Sequence, residues 1–318
     1  AKSCGLSVDQ LERIATDKGE WLAATITEVG KPLTELLSDI LDEAIKRLPI
    51  PKRMRWGDGT AEFVRPVKWV TLLHGASTID LEVLGVQSGN TSRGHRFHSS
   101  GEIVISHADE YAQLLREQGH IVPSFSERQS QIAAQIAELA KSVNGTIEAD
   151  PALLDEVTGL VEYPNALLGS FDPEFLDVPQ ECLVSSMRDH QKYFHLTDQN
   201  GDLLPRFITV SNIISQNPEQ VRSGNEKVLR ARLSDAQFFW QTDQKTTLAE
   251  RVSRLEDVLF HVKLGSVHDK VTRIQALAGN LADSIKADRE VAQRGAYLAK
   301  ADLVSDMVGE FDELQGIM

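Results

Sequence analysis

Between Lys31 and Leu48 the apolar residues Leu33, Leu36, Leu37, Ile40, Leu41, Ala44, Ile45 and Leu48 recur at helical spacing, and Pro49 and Pro51 stop the pattern. Upstream, Ser7 stands as an N-cap for a short helix ending at Gly19, followed by a strand over residues 19–30. Alternation then predicts strands over residues 67–74 and 78–85, separated by turn residues around Gly75, and another over 101–107. Helical periodicity returns over 124–143 and 152–162, and these segments read as a helical insertion at about 107–160. A strand follows Pro164, then a helix over 179–191 with Pro179 near its first turn. Two apolar runs around Gln199-Asn200-Gly201-Asp202 read as a hairpin. From Pro218 onward the pattern is almost all helical: Leu229, Leu233, Ala236 and Trp240 make one stripe, and helices are expected over 248–262, 266–285 and 288–311. The order predicts an α+β chain. A mixed α/β domain with the insertion spans residues 1–245, and an all-helical domain begins at 246 and runs through 318.

Composition changes little in that picture. With 318 residues and 41% hydrophobic residues there is ample apolar material for a core and length for more than one domain. No apolar run approaches the roughly 20 residues that cross a bilayer, so no membrane role is expected. The first residues lack the order of a secretion signal. Cys4 and Cys182 lie far apart without a CxxC pair, which fits a reducing cytoplasm. The chain begins at Ala1 and stops at Met318 inside a helix-like pattern, so a fragment of a longer protein is expected. The net charge of -14 runs against nucleic-acid binding taken as a sum. It leaves room for a local basic face, and the distribution of cations therefore matters more.

Four basic groups stand out. Lys52, Arg53 and Arg55 precede Trp56, with Arg65 and Lys68 before Trp69. Such cations can hold phosphates while a ring stacks, or they can simply end a helix in solvent. Arg93, His95, Arg96 and His98 flank Gly94, where arginines can grip phosphate; two histidines without a further ligand are a poor metal site. Arg188, His190, Gln191, Lys192 and Tyr193 offer charge, donors and a ring in one short loop, or else a polar helix end with Tyr193 opening a strand. His190 also titrates near neutrality and suits acid–base work. On the helix that carries the Leu229 stripe, Lys227 and Arg230 share a face, Arg232 and Asp235 suggest an ion pair, and Phe238 and Phe239 read as core. No phosphate loop, dinucleotide loop, nucleophile elbow or zincin motif occurs. His268-Asp269, with His261 and Asp302 or Asp306, is a candidate for a metal-holding His-Asp hydrolase site, though the separation of His261 and His268 is short for two helices of that fold.

Taken in order, the segments KRLPIPKRMRWGD, FVRPVKWV, GHRFH, VEYP, FLDVPQECL, MRDHQKYF, NGDLLPRFITVSN, SGNEKVLRARLSDAQFF, LGSVHDKVTRI and KADLVSDMVGEFDELQG resemble the β subunit of bacterial two-subunit glycyl-tRNA synthetases. The resemblance covers almost the whole chain. It implies a B3/B4-like α+β region followed by the start of a helical HD-like domain. The anticodon-binding domain would lie beyond. It further implies a role in binding and positioning tRNA(Gly), with an α2β2 assembly as the working unit. Glycine and ATP, with Mg, would be handled by the α subunit, and this segment would need no cofactor and would be noncatalytic alone. Under that implication the candidate RNA contacts are Arg53, Arg55, Arg93, His95, Arg96, Arg188, His190, Gln191, Lys192, Tyr193, Lys227 and Arg230. Hydrolysis of mischarged tRNA and a metal-dependent phosphohydrolase remain alternatives.

Overall fold

The computed structural model describes residues 7–8, 11–17, 19–26 and 29–318; Cys4 lies outside them. The described chain divides into two compact units, one of residues up to Ser92 with Val104–Glu110, the other of Arg93–Ile103 with Tyr111–Met318.

The described residues of the first unit form short strands, the α-helix Leu33–Arg47 and a 3-10 turn over Ala108–Glu110. β1 (Glu12–Thr16) and β2 (Gly19–Ala23) form an antiparallel hairpin that sets Ile14 opposite Trp21. This corrects the helix expected over residues 7–19. Gly19 sits at φ +113, which suits a turn rather than a helix end, and the chain doubles back there. Helix α1 (Leu33–Arg47) follows as its periodicity requires, yet none of its residues is buried. The remaining strands are β3 (Met54–Arg55) paired with β4 (Glu62–Phe63), and β5 (Val70–Thr71). After them come β6 (Leu73–His74) paired with β7 (Ser77–Thr78), then β8 (Glu82–Val83) and β9 (Val86–Gly89), with β9 lying between β5 and β8. The chain leaves this unit along β10 (Thr91–Arg93) and returns along its partner β11 (Glu102–Val104).

The second unit is layered around a three-stranded antiparallel sheet. After α2 (Tyr111–Glu117), the predicted helices appear as α3 (Phe125–Ser142) and α4 (Pro151–Leu160). Ser124 caps α3 and Asp150 caps α4, each accepting a backbone N–H from the first turn. β12 (Asn165–Ser170) precedes α5 (Gln180–Ser185), which runs into a π-helical turn, Ser186–His190. β13 (Phe194–Thr197) and β14 (Leu203–Ser211) are the expected hairpin, and β14 is the central strand. Its side chains alternate between two cores. Leu203 and Phe207 pack with Leu229, Leu233 and Ala236 of α6 (Pro218–Asp243) on one face; Ile208 packs with Ile132 and Ile136 of α3 on the other. The α6 stripe read from the sequence is thus core.

Beyond α6 the helical expectation holds only in part. α7 (Leu248–Arg251) passes into a 3-10 turn over Val252–Asp257, and β15 (Leu259–His261) pairs with β16 (Gly265–Ser266), where one helix was expected. α8 (Val267–Ile285) matches its pattern, while the last predicted helix is broken into α9 (Arg289–Leu298), a 3-10 turn and α10 (Asp306–Glu310). Ser305 explains the final break, because its side chain caps α10 instead of continuing a helix. Among the described residues no helix is long and apolar enough to cross a membrane.

Candidate nucleic-acid interface

The Gly94–Ser99 loop is held by its own histidine. His95 is buried, and its backbone N–H donates to Gly119 O at 2.6 Å. Its Nδ1 accepts the Phe97 N–H, which leaves Nε2–H to donate to Asn212 O at 2.6 Å. Gly94 passes so close to the neighbouring chain that a Cβ there would fall 2.6 Å from Gly119 O, so no side chain fits. His98 Nε2 accepts the Ile214 N–H at 3.0 Å, and its ring lies among those of His95, His120 and Tyr163. Partial burial, with His95 and His120 beside it, holds its pKa below the ordinary histidine value. Asn212 ties the segments together, since its side-chain oxygen also accepts the N–H groups of Glu162 and Tyr163. What the loop presents outward is Arg96 and Phe97. The Arg96 guanidinium lies over the Phe97 ring, 5.8 Å from its centroid, and the ring is 72% exposed. Arg93, also exposed, stands 3.4 Å from Glu102.

The Arg188–Tyr193 segment is more committed to the fold than its residue types suggest. The π turn widens the end of α5, and Lys192 adopts φ +59, so the cations are aimed by an unusual backbone. Arg188 Nε lies 2.8 Å from Asp150 Oδ2, and Lys192 Nζ lies 3.0 Å from Glu156 Oε2, both on the helical insertion. The half-buried His190 ring stacks on Phe311 at 5.5 Å, with Nε2 4.0 Å from Glu313. Ser185 donates to the same Glu313 carboxylate. Gln191 is half-buried. Tyr193 is core: its ring stacks on Phe207, its hydroxyl donates to Asn225 Oδ1 at 2.6 Å, and burial pushes its pKa up to about 12.

On α6, Lys227 is exposed and has no ion-pair partner among the described residues; Arg230 faces Asp172 at 3.9 Å. Arg232 pairs with Glu310 at 3.4 Å, which replaces the expected bond to Asp235, and Phe238 is 62% exposed rather than core. In the first unit Arg53 donates to the Ile45 and Lys46 carbonyls and so closes α1, while Arg55 lies 3.6 Å from Glu62. His268 and Asp269 open α8. The Asp269 carboxylate accepts from the Ser266 N–H and hydroxyl, and these bonds hold its pKa below the usual carboxylate range. Among the described residues no group of three or more His, Cys, Asp or Glu side chains is placed to hold a metal ion.

The loop's exposed tip depends on residues the basic-group reading passed over. Phe97, His120, Tyr163 and Asn212 were not among the candidates. For Tyr163 and Asn212 the signal is positional, since VEYP and ITVSN carry the family resemblance without carrying a cation.

Comparison with known proteins adds a finding of another kind. A family model described as the glycyl-tRNA synthetase beta subunit matches residues 1–318. Relatives named "Glycine--tRNA ligase beta subunit" are 49% identical over 319 residues in Marinobacter nauticus and 51% over 318 residues in Histophilus somni. A third, from Neisseria meningitidis serogroup B, is 50% identical over 318 residues. Each alignment takes in 100% of this chain and 46% of the relative, so the chain spans about half the length of the proteins it matches.

Proposed function

From the premise that this chain belongs to the glycyl-tRNA synthetase beta subunit family, we propose that it binds and positions tRNA(Gly) for attachment of glycine. The observation that carries the reading is the family match over residues 1–318; the exposed cations of the second unit support it. In this reading a separate α subunit, assembled with it as α2β2, holds glycine and ATP with Mg. This chain contributes no cofactor site and is noncatalytic alone. The working protein is cytoplasmic. Residues 1–245, with the insertion at about 107–160, are a B3/B4-like region, and residues 246–318 begin an HD-like helical domain used as a scaffold. The local core of Val252, Leu255, Val267, Val271 and Ala301 suits such a beginning.

Among the candidates, Arg96 and Lys227 are the cations best suited to meet phosphate, because neither has to abandon a carboxylate first. In the full-length protein assembled with its partner subunit, Arg96→Glu together with Lys227→Glu is expected to weaken tRNA(Gly) binding and to flatten its salt dependence. Amino-acid activation by the partner should continue at the parent rate. Unchanged tRNA affinity and salt slope would remove the reading for these residues.

A further inference from the structure

We propose that Phe97 is a stacking platform for one unpaired nucleotide, with Arg96 beside it to meet that nucleotide's phosphate. The proposal rests on the tRNA reading above and names a contact within it.

An exposed phenylalanine is unremarkable alone. This one stands on a loop fixed at every step that matters to its aim. Phe97 N–H is held by His95 Nδ1, Ser99 N–H by His95 O, and the His95 ring by Asn212. Gly94 and Gly119 are in contact with no room for a side chain. Yet the ring on this braced loop is 72% exposed. Buried, hydrogen-bonded scaffolding under an exposed aromatic ring is the arrangement expected when the partner of that ring comes from outside. The ordering entropy of the loop is already met before the partner arrives.

The chemistry next to the ring favours a nucleotide over a protein side chain. Arg96 lies over Phe97 and has no ion pair among the described residues, so a cation is held at the platform without a carboxylate to neutralise it. A base offers a flat π face to Phe97 and a phosphate to Arg96 within one nucleotide. A protein interface would call for a contiguous apolar patch, whereas the chain neighbours of Phe97 are Arg96 and His98. Stacking on an open ring reads no base edge, so the contact is to an unpaired position of the RNA, with little preference for base type.

The test uses the full-length protein assembled with its partner subunit and a tRNA(Gly) transcript. Phe97→Leu keeps an apolar side chain and removes the π face; Phe97→Trp keeps and enlarges it. The expected result is about tenfold weaker tRNA binding for Phe97→Leu, within the range that one base–aromatic stack is worth. Its salt slope should be unchanged, and Phe97→Trp should stay within about twofold of the parent. Arg96→Gln is expected to reduce the salt slope by about one. If both Phe97 variants bind like the parent while Lys227→Glu weakens binding, the platform is refuted and the tRNA reading stands. Equal losses in Leu and Trp would make Phe97 a shape contact and overturn stacking. Impaired subunit assembly without tRNA would make it a protein contact, also overturning the proposal. A parent protein without salt-dependent tRNA binding would remove the functional reading and the platform with it.

Discussion

Lys192 Nζ lies 3.0 Å from Glu156 Oε2, an ion pair joining the turn before β13 to the helical insertion. Arg188 makes the parallel connection to Asp150. Both cations therefore spend their charge inside the protein until something displaces the carboxylates. If Lys192 meets phosphate, removing its internal partner should help. Glu156→Gln in the full-length assembly is expected to raise tRNA affinity at low salt and steepen the salt dependence by about one phosphate contact. Its effect on stability should be below about 1 kcal/mol, because the pair is partly exposed. Salt titrations of binding check the first statement and urea unfolding the second; an unchanged slope would take Lys192 off the RNA surface.

Of the two readings open for Tyr193, a ring offered by the loop or the opening of a strand core, its burial selects the core. Tyr193→Phe removes only the hydroxyl that donates to Asn225 and is expected to cost about 1 kcal/mol in urea unfolding. Tyr193→Ala also removes the ring packed on Phe207 and should cost about 3–5 kcal/mol. The Phe variant is expected to bind tRNA like the parent. Loss of binding in a stable Tyr193→Phe protein would place the hydroxyl at the RNA after all.

The contrast between these residues shows where periodicity stops informing. The stripe Leu229, Leu233, Ala236 and Trp240 was legible because burial repeats with the helical turn. The β13–β14 hairpin was legible because Gly201 and its polar neighbours mark a turn; Gly201 has φ +91 and Asp198 accepts backbone N–H groups across it. Residues 248–262 misled because their apolar spacing suits a helix as well as a 3-10 turn and a short hairpin, and only the packing of Val252 and Leu255 decides between them. Charge at the candidate site was legible as residue type but not as availability. Arg188 has Asp189 beside it at 3.7 Å, but its closer partner Asp150 and the Lys192 partner Glu156 lie more than thirty residues away in the chain. The ring cluster around His98 was hidden for the same reason, since Tyr163 and Asn212 meet that loop only once the sheet has formed.

Two histidines should make stability depend on pH. Burial is the main cause that lowers the pKa of His195; Arg188 adds to it, and Glu148 and Asp150 oppose it. His98 is lowered by partial burial, His95 and His120. Each group takes up a proton more readily in the unfolded chain, so protons favour unfolding. Stability is therefore full above the unfolded histidine value and falls as the pH drops below about 6.5. Thermal midpoints measured from pH 8 to 5.5 should be flat at first and then decline. His98→Gln, which keeps an acceptor for the Ile214 N–H, should decline less steeply. A profile for this variant that overlays the parent would exclude His98 as a source of the slope.

Ser266 and Asp269 form a capping box at the start of α8, with each side chain accepting from the other's backbone N–H. That employment competes with any metal role for Asp269, because the oxygen that accepts from Ser266 is not free for a cation. Ser266→Ala is expected to cost about 1 kcal/mol by loss of a helix cap. Asp269→Ala should lower the thermal midpoint, and Asp269→Asn should lower it less, since an amide oxygen still accepts. The Ser266 bonds depress the Asp269 pKa, so this contribution is present above the ordinary carboxylate value near 4 and disappears as the pH falls through the lower folded value. His268→Ala should change little, and a chelator should leave the parent's midpoint where it was. Thermal unfolding with and without added zinc or manganese decides between cap and metal site. A metal-dependent rise in the parent that is absent from His268→Ala would restore the His-Asp hydrolase reading.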